Sequence, residues 1–121
     1  YGGNPLACRA GLAVMDIFEQ DNLLAKAERL GGVVKRRFAS FKKQYQLIGD
    51  ERGLGAMRAL EFVSDRATKA PCPEAAKGVA KFCQDNCIRV LMPLVITRDQ
   101  LDRGLDIMEE GIREVSKSLG K

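Results

Sequence analysis

The chain has 121 residues, of which 45% are hydrophobic and 30% charged, and its formal net charge is +4. This length suits one domain, and the composition is that of a globular protein rather than a disordered one. Because the sequence contains no histidine, catalysis by a serine or cysteine nucleophile paired with histidine is excluded, and so is the commonest general base.

The charge and hydropathy patterns argue against nucleic acid or a membrane as a partner. The basic clusters at 35–37 and 42–43 are typical of the solvated face of a helix. Nucleic-acid binding favours a continuous basic stripe with interleaved aromatic residues, and the sequence has no Trp and only two Tyr. No apolar run approaches the roughly 20 residues of a membrane span.

The four cysteines are Cys8, Cys72, Cys83 and Cys87. Without histidine, a zinc site would need all four thiolates gathered from scattered positions, so we expect no metal. Reduced and mostly buried thiols are typical of a cytoplasmic protein, and that is the location we expect.

Two helices are predicted in the first part of the chain. Asn4 is a good N-cap and Pro5 suits the first helical position, so we predict a helix over 5–20, ended by Asp21-Asn22, which can also cap the next helix. Gly31-Gly32, inside that second helix, predicts a bend or a close approach to another backbone. The second helix is predicted from one apolar stripe, formed by Leu23, Ala27, Leu30, Val34, Phe38, Phe41 and Tyr45.

The rest of the chain predicts a short sheet flanked by helices. Residues 52–63 predict one strand entered through glycines, 64–73 a polar loop, and 88–96 a second strand interrupted by Pro93. Pro73 is predicted to begin a third helix with Ala76, Val79, Ala80 and Cys83 facing inward. A capping box of Thr97 and Gln100 is predicted to begin a closing helix with the stripe Leu101, Leu105, Met108, Ile112, Val115 and Leu119. The order α-α-β-α-β-α indicates an α+β fold.

Three places could carry chemistry. The turn Gly2-Gly3-Asn4 before a helix can receive phosphate on backbone N–H groups, or it can be an ordinary capped helix start. Gly53 and Gly55 precede a strand, whereas a dinucleotide fingerprint follows one, so we interpret them as shaping a strand entry beside a site or interface. Arg89 interrupts an apolar run. Its guanidinium can hold a carboxylate through two parallel bonds, reach solvent from an edge strand, or pair with an internal acid.

Three segments resemble the C-terminal small domain of class III (subgroup II) pyridoxal-phosphate aminotransferases. They are Tyr-Gly-Gly-Asn-Pro-Leu-Ala-Cys at 1–8, Ile-Gly-Asp-Glu-Arg-Gly-Leu-Gly-Ala-Met at 48–57 and Ile-Arg-Val-Leu-Met-Pro-Leu-Val-Ile-Thr at 88–97. The third segment favours the 4-aminobutyrate branch over the ornithine branches. The resemblance covers nearly the whole chain and implies that 1–121 is one small domain cut from a larger fold-type I enzyme.

The resemblance implies an enzyme that moves an amino group from 4-aminobutyrate, or a similar ω-amino acid, to 2-oxoglutarate with pyridoxal phosphate as cofactor. By resemblance, Arg89 holds the substrate carboxylate, and Gly2, Gly3 and Asn4 follow a residue that contacts the cofactor phosphate. The implied partners are the large domain of the same chain and a second subunit of a homodimer.

Two departures from the family pattern affect what this chain can do. The cofactor-binding lysine and its companions lie upstream in the family, so we expect the isolated chain to have no catalytic residue and no activity. The family also places a short strand and a Gly-rich loop between Phe82 and Ile88, where this sequence has only five residues; a true deletion and an omitted loop both remain open. A stand-alone, non-enzymatic α+β interaction domain is the alternative.

Overall fold

The computed structural model describes residues 2–86 and 93–121. In that part of the chain, four helices accompany a small antiparallel sheet in the order β1-β2-β3, which confirms the predicted α+β class. The elements are α1 (Pro5–Gln20), α2 (Leu23–Gln44), β1 (Ile48–Leu54), β2 (Met57–Asp65), β3 (Ala70–Pro71), α3 (Pro73–Asp85) and α4 (Arg98–Ser118).

The first two helices follow the predicted bounds. Asn4 caps α1 as predicted, because its Oδ1 accepts the N–H of Leu6 at 2.9 Å. Asn22 is the N-cap residue of α2, but its side chain makes no capping hydrogen bond. Its backbone is instead left-handed, with φ of 47°, a conformation that Asn tolerates better than most residues. The junction of α1 and α2 therefore depends on backbone geometry rather than on a side-chain cap.

The prediction of a single strand over 52–63 was wrong. The segment forms a hairpin, in which β1 and β2 pair antiparallel from Ile48↔Phe62 to Leu54↔Met57. The two-residue turn is Gly55-Ala56, and Gly55 has φ of 50°, which a glycine at the first position of such a turn adopts without steric cost. Gly49 and Asp50 are residue types that are rare in strands, so the first part of β1 was not predicted as a strand.

The predicted polar loop over 64–73 contains further structure. Two of its residues, Ala70–Pro71, form β3 against the end of β2. Arg66 lies in the same loop and donates to three carbonyls, those of Tyr45 (2.7 Å), Ile48 (3.1 Å) and Lys42. Because the last carbonyls of a helix have no partner within it, Arg66 satisfies the C-terminal end of α2 and fixes the entry into β1.

The hydrophobic core lies between α2, α3, α4 and the sheet. Phe41, Ile48 and Ile112 are fully buried in it, and Leu105 is 4% exposed. In α3 the inward stripe was predicted correctly at Val79 and Cys83, which are buried. It was wrong at Ala76 and Ala80, which are exposed, and it omitted the buried Ala75. Alanines flank one another on this helix, so the sequence pattern does not define which of them faces the core.

The predicted strand over 88–96 lies mostly outside the described residues. Its described end, 93–96, is a turn closed by the Ile96 N–H donating to the Pro93 carbonyl at 3.1 Å. The capping box that follows is confirmed, because Thr97 Oγ1 accepts the Gln100 N–H at 3.3 Å and Gln100 Oε1 accepts the Thr97 N–H at 3.0 Å.

Candidate functional site

The Gly2-Gly3-Asn4 turn leads directly into the N-terminus of α1. Gly3 has φ of 78°, a backbone conformation that glycine adopts freely. A Cβ at Gly2 or Gly3 would meet no atom within 4 Å, so the turn is open on its outer side. An anion could approach the backbone here without displacing protein atoms.

The helix N-terminus itself offers few free donors to such an anion. Pro5 has no N–H, and Asn4 Oδ1 already accepts the N–H groups of Leu6 and Ala7 at 2.9 and 3.4 Å. The Cys8 N–H donates to the Asn4 carbonyl at 2.9 Å. Any phosphate contact at this end of the chain therefore falls to the backbone of the turn rather than to the first turn of the helix, and the cofactor role of Gly2, Gly3 and Asn4 stays a prediction.

The glycines of the 48–57 motif serve close packing. A Cβ at Gly53 would lie 2.0 Å from the Met57 carbonyl oxygen, and Gly53 has φ of 144°. A Cβ at Gly31 would lie 1.9 Å from the Gly55 carbonyl oxygen. The hairpin turn therefore rests on the backbone of α2, which confirms the close approach predicted from Gly31-Gly32 and explains the Gly-x-Gly spacing without a nucleotide.

A nearly buried ion pair in the hairpin was missed by the sequence reasoning. Arg58 and Glu51 are 8% and 15% exposed, with Arg58 Nη2 lying 3.5 Å from Glu51 Oε2. Arg58 also donates to the Gly53 carbonyl. Arg58 Nε and Glu51 Oε2 have no hydrogen-bond partner, so the pair is held by charge attraction more than by hydrogen bonds.

Arg58 also lines an apolar cleft of about 260 Å³ between β2 and α3. Its charge is already opposed by Glu51. The other walls of the cleft are apolar and include Phe38, Leu60, Phe62, Val79 and Met108. The cleft therefore lacks the convergent polar groups of a substrate site.

Arg89, the predicted carboxylate-binding residue, lies outside the described residues. The described elements on either side are α3, which ends at Asp85, and the capping box at Thr97 that begins α4. The assignment of Arg89 to the substrate carboxylate stays a prediction.

The described thiols are not arranged for catalysis or metal binding. Cys72 and Cys83 are buried and Cys8 is exposed, and all three are free. Burial raises the pKa of the Cys83 thiol, which disfavours the reactive thiolate. Within residues 2–86 and 93–121, no three His, Cys, Asp or Glu side chains are grouped so as to hold a metal ion, and no helix is both long and apolar enough to cross a membrane.

Comparison with known proteins identifies the family. The model of the class-III aminotransferases matches residues 1–112. The chain therefore belongs to the class-III aminotransferase family, as the three sequence motifs predicted.

Individual relatives are similar over nearly the whole chain. The leucine/methionine racemase of Thermococcus litoralis is 40% identical, with 95% of this chain and 28% of the relative covered. The probable 4-aminobutyrate aminotransferase of Bacillus subtilis is 38% identical, with 93% of this chain and 29% of the relative covered. A solved aminotransferase from Vibrio fluvialis in its PMP-bound form is 28% identical at a TM-score of 0.81, with 93% of this chain and 27% of that chain covered.

The chain spans less than a third of the length of these relatives. The alignment with the Bacillus protein runs over 125 positions, more than the 121 residues of this chain, so that relative has residues with no counterpart here. The short connection before Ile88 predicts that relatives have extra residues relative to this chain.

Proposed function

We propose that the chain is the C-terminal small domain of a pyridoxal-phosphate-dependent aminotransferase. The observation that carries the proposal is the match of residues 1–112 to the class-III aminotransferase model. The 38% identity to a probable 4-aminobutyrate aminotransferase supports it, and so does the fold shared with a PMP-bound aminotransferase.

In this function the chain binds and orients the substrate. Pyridoxal phosphate, when bound, would serve as the electron sink for the reacting carbon of the amino acid. Arg89 holds a substrate carboxylate, since a guanidinium stays charged and offers two parallel donors. The Gly2-Gly3-Asn4 turn borders the cofactor phosphate with its backbone.

The proposed substrates are 4-aminobutyrate, or a similar ω-amino acid, and 2-oxoglutarate. Support comes from the relatives, which include a probable 4-aminobutyrate aminotransferase and 5-aminovalerate aminotransferases at 33–34% identity. Both 4-aminobutyrate and 5-aminovalerate carry a terminal amino group, which a carbon chain separates from the carboxylate that Arg89 is proposed to hold.

The proposed partners are the large domain of the same polypeptide and a second subunit of a homodimer. The chain covers only 28–30% of the length of three relatives, and the cofactor-binding lysine of the family is expected in the remainder. We therefore expect the 121-residue chain alone to show no saturable pyridoxal phosphate binding and no amino-group transfer.

A second candidate, amino acid racemisation, is favoured by one observation. The relative with 40% identity is a leucine/methionine racemase, and a relative at 32% identity is an isoleucine 2-epimerase. Both activities replace a proton on the α-carbon and need no oxo-acid acceptor, so they differ from transamination in the co-substrate required.

The two candidates are separated by assaying the longer protein that contains this chain. Incubation with 4-aminobutyrate and 2-oxoglutarate should yield glutamate, with none formed when either substrate is omitted. Incubation with L-leucine in D₂O and no oxo acid should leave the α-proton in place. Deuterium uptake with D-leucine formation, and no glutamate, would instead establish the racemase. A longer protein that folds, binds no pyridoxal phosphate and shows neither activity would favour the non-enzymatic interaction domain.

A further inference from the structure

The β2–α3 cleft is the apolar cavity of about 260 Å³ that opens between strand β2 and helix α3. Its α3 wall is the stripe that the sequence predicted to face inward, which consists of Ala76, Val79, Ala80 and Cys83. Val79 and Cys83 are buried, whereas Ala76 and Ala80 line the same cleft and are exposed. The two alanines continue an apolar stripe of the core, and their short side chains border the cavity.

The cavity has the size of one small organic molecule. An apolar cavity of about 150 Å³ holds one benzene molecule, so about 260 Å³ accommodates a ligand of roughly ten non-hydrogen atoms. A buried water needs roughly two to four polar partners. Among the described lining residues, the only polar groups are the Arg58 guanidinium and the weakly polar Cys83 thiol. An apolar molecule therefore suits the cleft better than water does.

Arg58, which lines the cleft, has hydrogen-bond donors to spare. A guanidinium carries several N–H groups, and within the described part of the chain only the Gly53 carbonyl accepts one of them in a hydrogen bond. Glu51 Oε2 lies 3.5 Å from Arg58 Nη2, beyond the usual range of about 2.7–3.2 Å. Arg58 Nε is buried and has no partner among the described residues. Because the Arg58 side chain is only 8% exposed, water satisfies few of these donors.

The charges of the pair decide which acceptor fits. Glu51 already opposes the charge of Arg58, so a carboxylate in the cleft would gain little from the pair and would be repelled by Glu51. The carbonyl oxygen of an ester, ketone or amide avoids that repulsion and accepts a hydrogen bond from a charged donor in a site of low dielectric. We propose that the β2–α3 cleft binds a small apolar ligand that carries one neutral hydrogen-bond acceptor, which the Arg58 guanidinium contacts.

Three matched probes test the proposal on the longer protein that contains this chain. Methyl benzoate carries a neutral acceptor, isopropylbenzene carries none, and benzoate carries a charged one. Ala80→Cys places a reporter thiol in the cleft. Lys77→Cys is the matched control, because Lys77 is exposed on the same helix and is not among the lining residues. Alkylation rates are read by mass spectrometry of each peptide over a range of probe concentrations, which gives the dissociation constant of each probe.

Methyl benzoate at about ten times its dissociation constant should slow the alkylation of Ala80→Cys by about 10-fold, since only the unoccupied cleft reacts. Alkylation of Lys77→Cys should change by less than about 2-fold. Benzoate should give little protection, and benzoate that binds as tightly as methyl benzoate would overturn the choice of a neutral acceptor. No protection by methyl benzoate up to its solubility limit would overturn the site itself. A thiol at Ala80→Cys that is unreactive without any probe would also overturn it, by showing that protein covers the cleft.

The contribution of Arg58 is measured separately from hydrophobicity. The ratio of the dissociation constant of isopropylbenzene to that of methyl benzoate is compared between the parent sequence and the double variant Glu51→Leu/Arg58→Leu, which removes the donor without leaving an unpaired charge. The ratio should fall by at least about 10-fold in the double variant, because a hydrogen bond to a charged group is lost. An unchanged ratio would overturn the contact with Arg58.

The readout does not depend on activity. A longer protein that binds methyl benzoate in this cleft but transfers no amino group would refute the proposed function and leave the ligand site in place.

Discussion

Gly31 in α2 and Gly55 in the hairpin turn are in direct backbone contact. A Cβ on Gly31 would lie 1.9 Å from the Gly55 carbonyl oxygen and 2.2 Å from its carbonyl carbon. Since backbone atoms cannot move aside as the end of a side chain can, this contact fixes the distance between α2 and the β1–β2 turn. The hairpin that contains the family-like segment 48–57 is therefore held in place by a helix glycine that lies 17 or more residues earlier in the chain.

The first prediction concerns this contact. Gly31→Ala should lower the free energy of unfolding by about 1–3 kcal/mol, the usual cost of forcing extra atoms into a packed site. Gly32→Ala is the matched control, because its Cβ would meet only Arg36 Nη1 at 3.8 Å, and it should stabilise α2 by up to about 1 kcal/mol. Urea unfolding of both variants measures the difference, and two equal values would contradict the contact.

The second prediction concerns the ion pair of Glu51 and Arg58. Replacing either one alone, by Glu51→Leu or Arg58→Leu, leaves a nearly buried charge without its partner and should cost about 3–5 kcal/mol. The double variant should recover most of that loss, because two apolar side chains leave no charge to desolvate.

A second pair on the same hairpin provides the control. Arg52 and Glu61 lie 3.0 Å apart but are 60% and 44% exposed, so Arg52→Leu should change the free energy of unfolding by less than about 1 kcal/mol. A double-mutant cycle for each pair gives the coupling energy. Equal coupling in the two pairs would show that the burial of Glu51 and Arg58 has no energetic consequence.

The third prediction compares two helix caps. Asn4→Ala and Thr97→Ala each remove a side-chain cap worth about 1 kcal/mol. Helix α4 contributes Leu101, Leu105 and Ile112 to the core, so Thr97→Ala should lower the global unfolding midpoint. Helix α1 buries no residue, so Asn4→Ala should increase amide exchange within α1 and leave that midpoint unchanged. A fall in the midpoint for Asn4→Ala would show that α1 is coupled to the core.

The fourth prediction is a pH dependence. The Lys42 ammonium, 2.7 Å from Asp50 Oδ1, lowers the pKa of that carboxyl, with a smaller contribution from the Glu51 N–H. Because the folded pKa lies below the unfolded value of about 3.9, the stabilisation is present above that pH and lost as pH falls through the folded pKa.

The measurement is urea unfolding of the wild type and Lys42→Met between pH 6 and pH 2. The destabilisation caused by Lys42→Met should be present at pH 6 and shrink below about pH 4. Lys43→Met, at the exposed neighbouring position, should show no such change with pH. A difference between wild type and Lys42→Met that stays constant to pH 2 would contradict the assigned pair.

The helices were predictable because their signals are local. The cap at Asn4, the box at Thr97 and the stripes of α2 and α4 each depend on residues a few positions apart. The structure contains all of them except Leu119, which follows the end of α4 and is 41% exposed. The order of the elements was harder to predict than the helices. Strand β1 contains Asp50 and Glu51 at positions where an alternating strand pattern would have an apolar residue. Glu51 is paired with Arg58, which belongs to the facing strand β2. No periodicity within β1 can reveal such a cross-strand pair.

The candidate site was predictable only through resemblance. From the residues alone, Arg89 was compatible with a substrate contact, an internal ion pair or an exposed edge strand, because charge and neighbours do not distinguish these. The helix predicted over 5–20 is present in the structure, but it buries none of its residues. The cap and the helical spacing that predict a helix do not reveal how much of it is buried.

The role of Arg89 tests the account most directly. In the longer protein, loaded with pyridoxal phosphate, Arg89→Ala should reduce kcat/KM for 2-oxoglutarate by at least about 100-fold, since two charge-assisted hydrogen bonds of about 1.5–3 kcal/mol each are lost. Arg89→Lys should recover only part of the lost kcat/KM, because an ammonium lacks the two parallel N–H donors of the planar guanidinium. Arg98→Ala, which removes an exposed arginine bonded to Asp102 at 2.6 Å, should leave kcat/KM near the wild-type value. An unchanged kcat/KM in Arg89→Ala would contradict the proposed function of this domain.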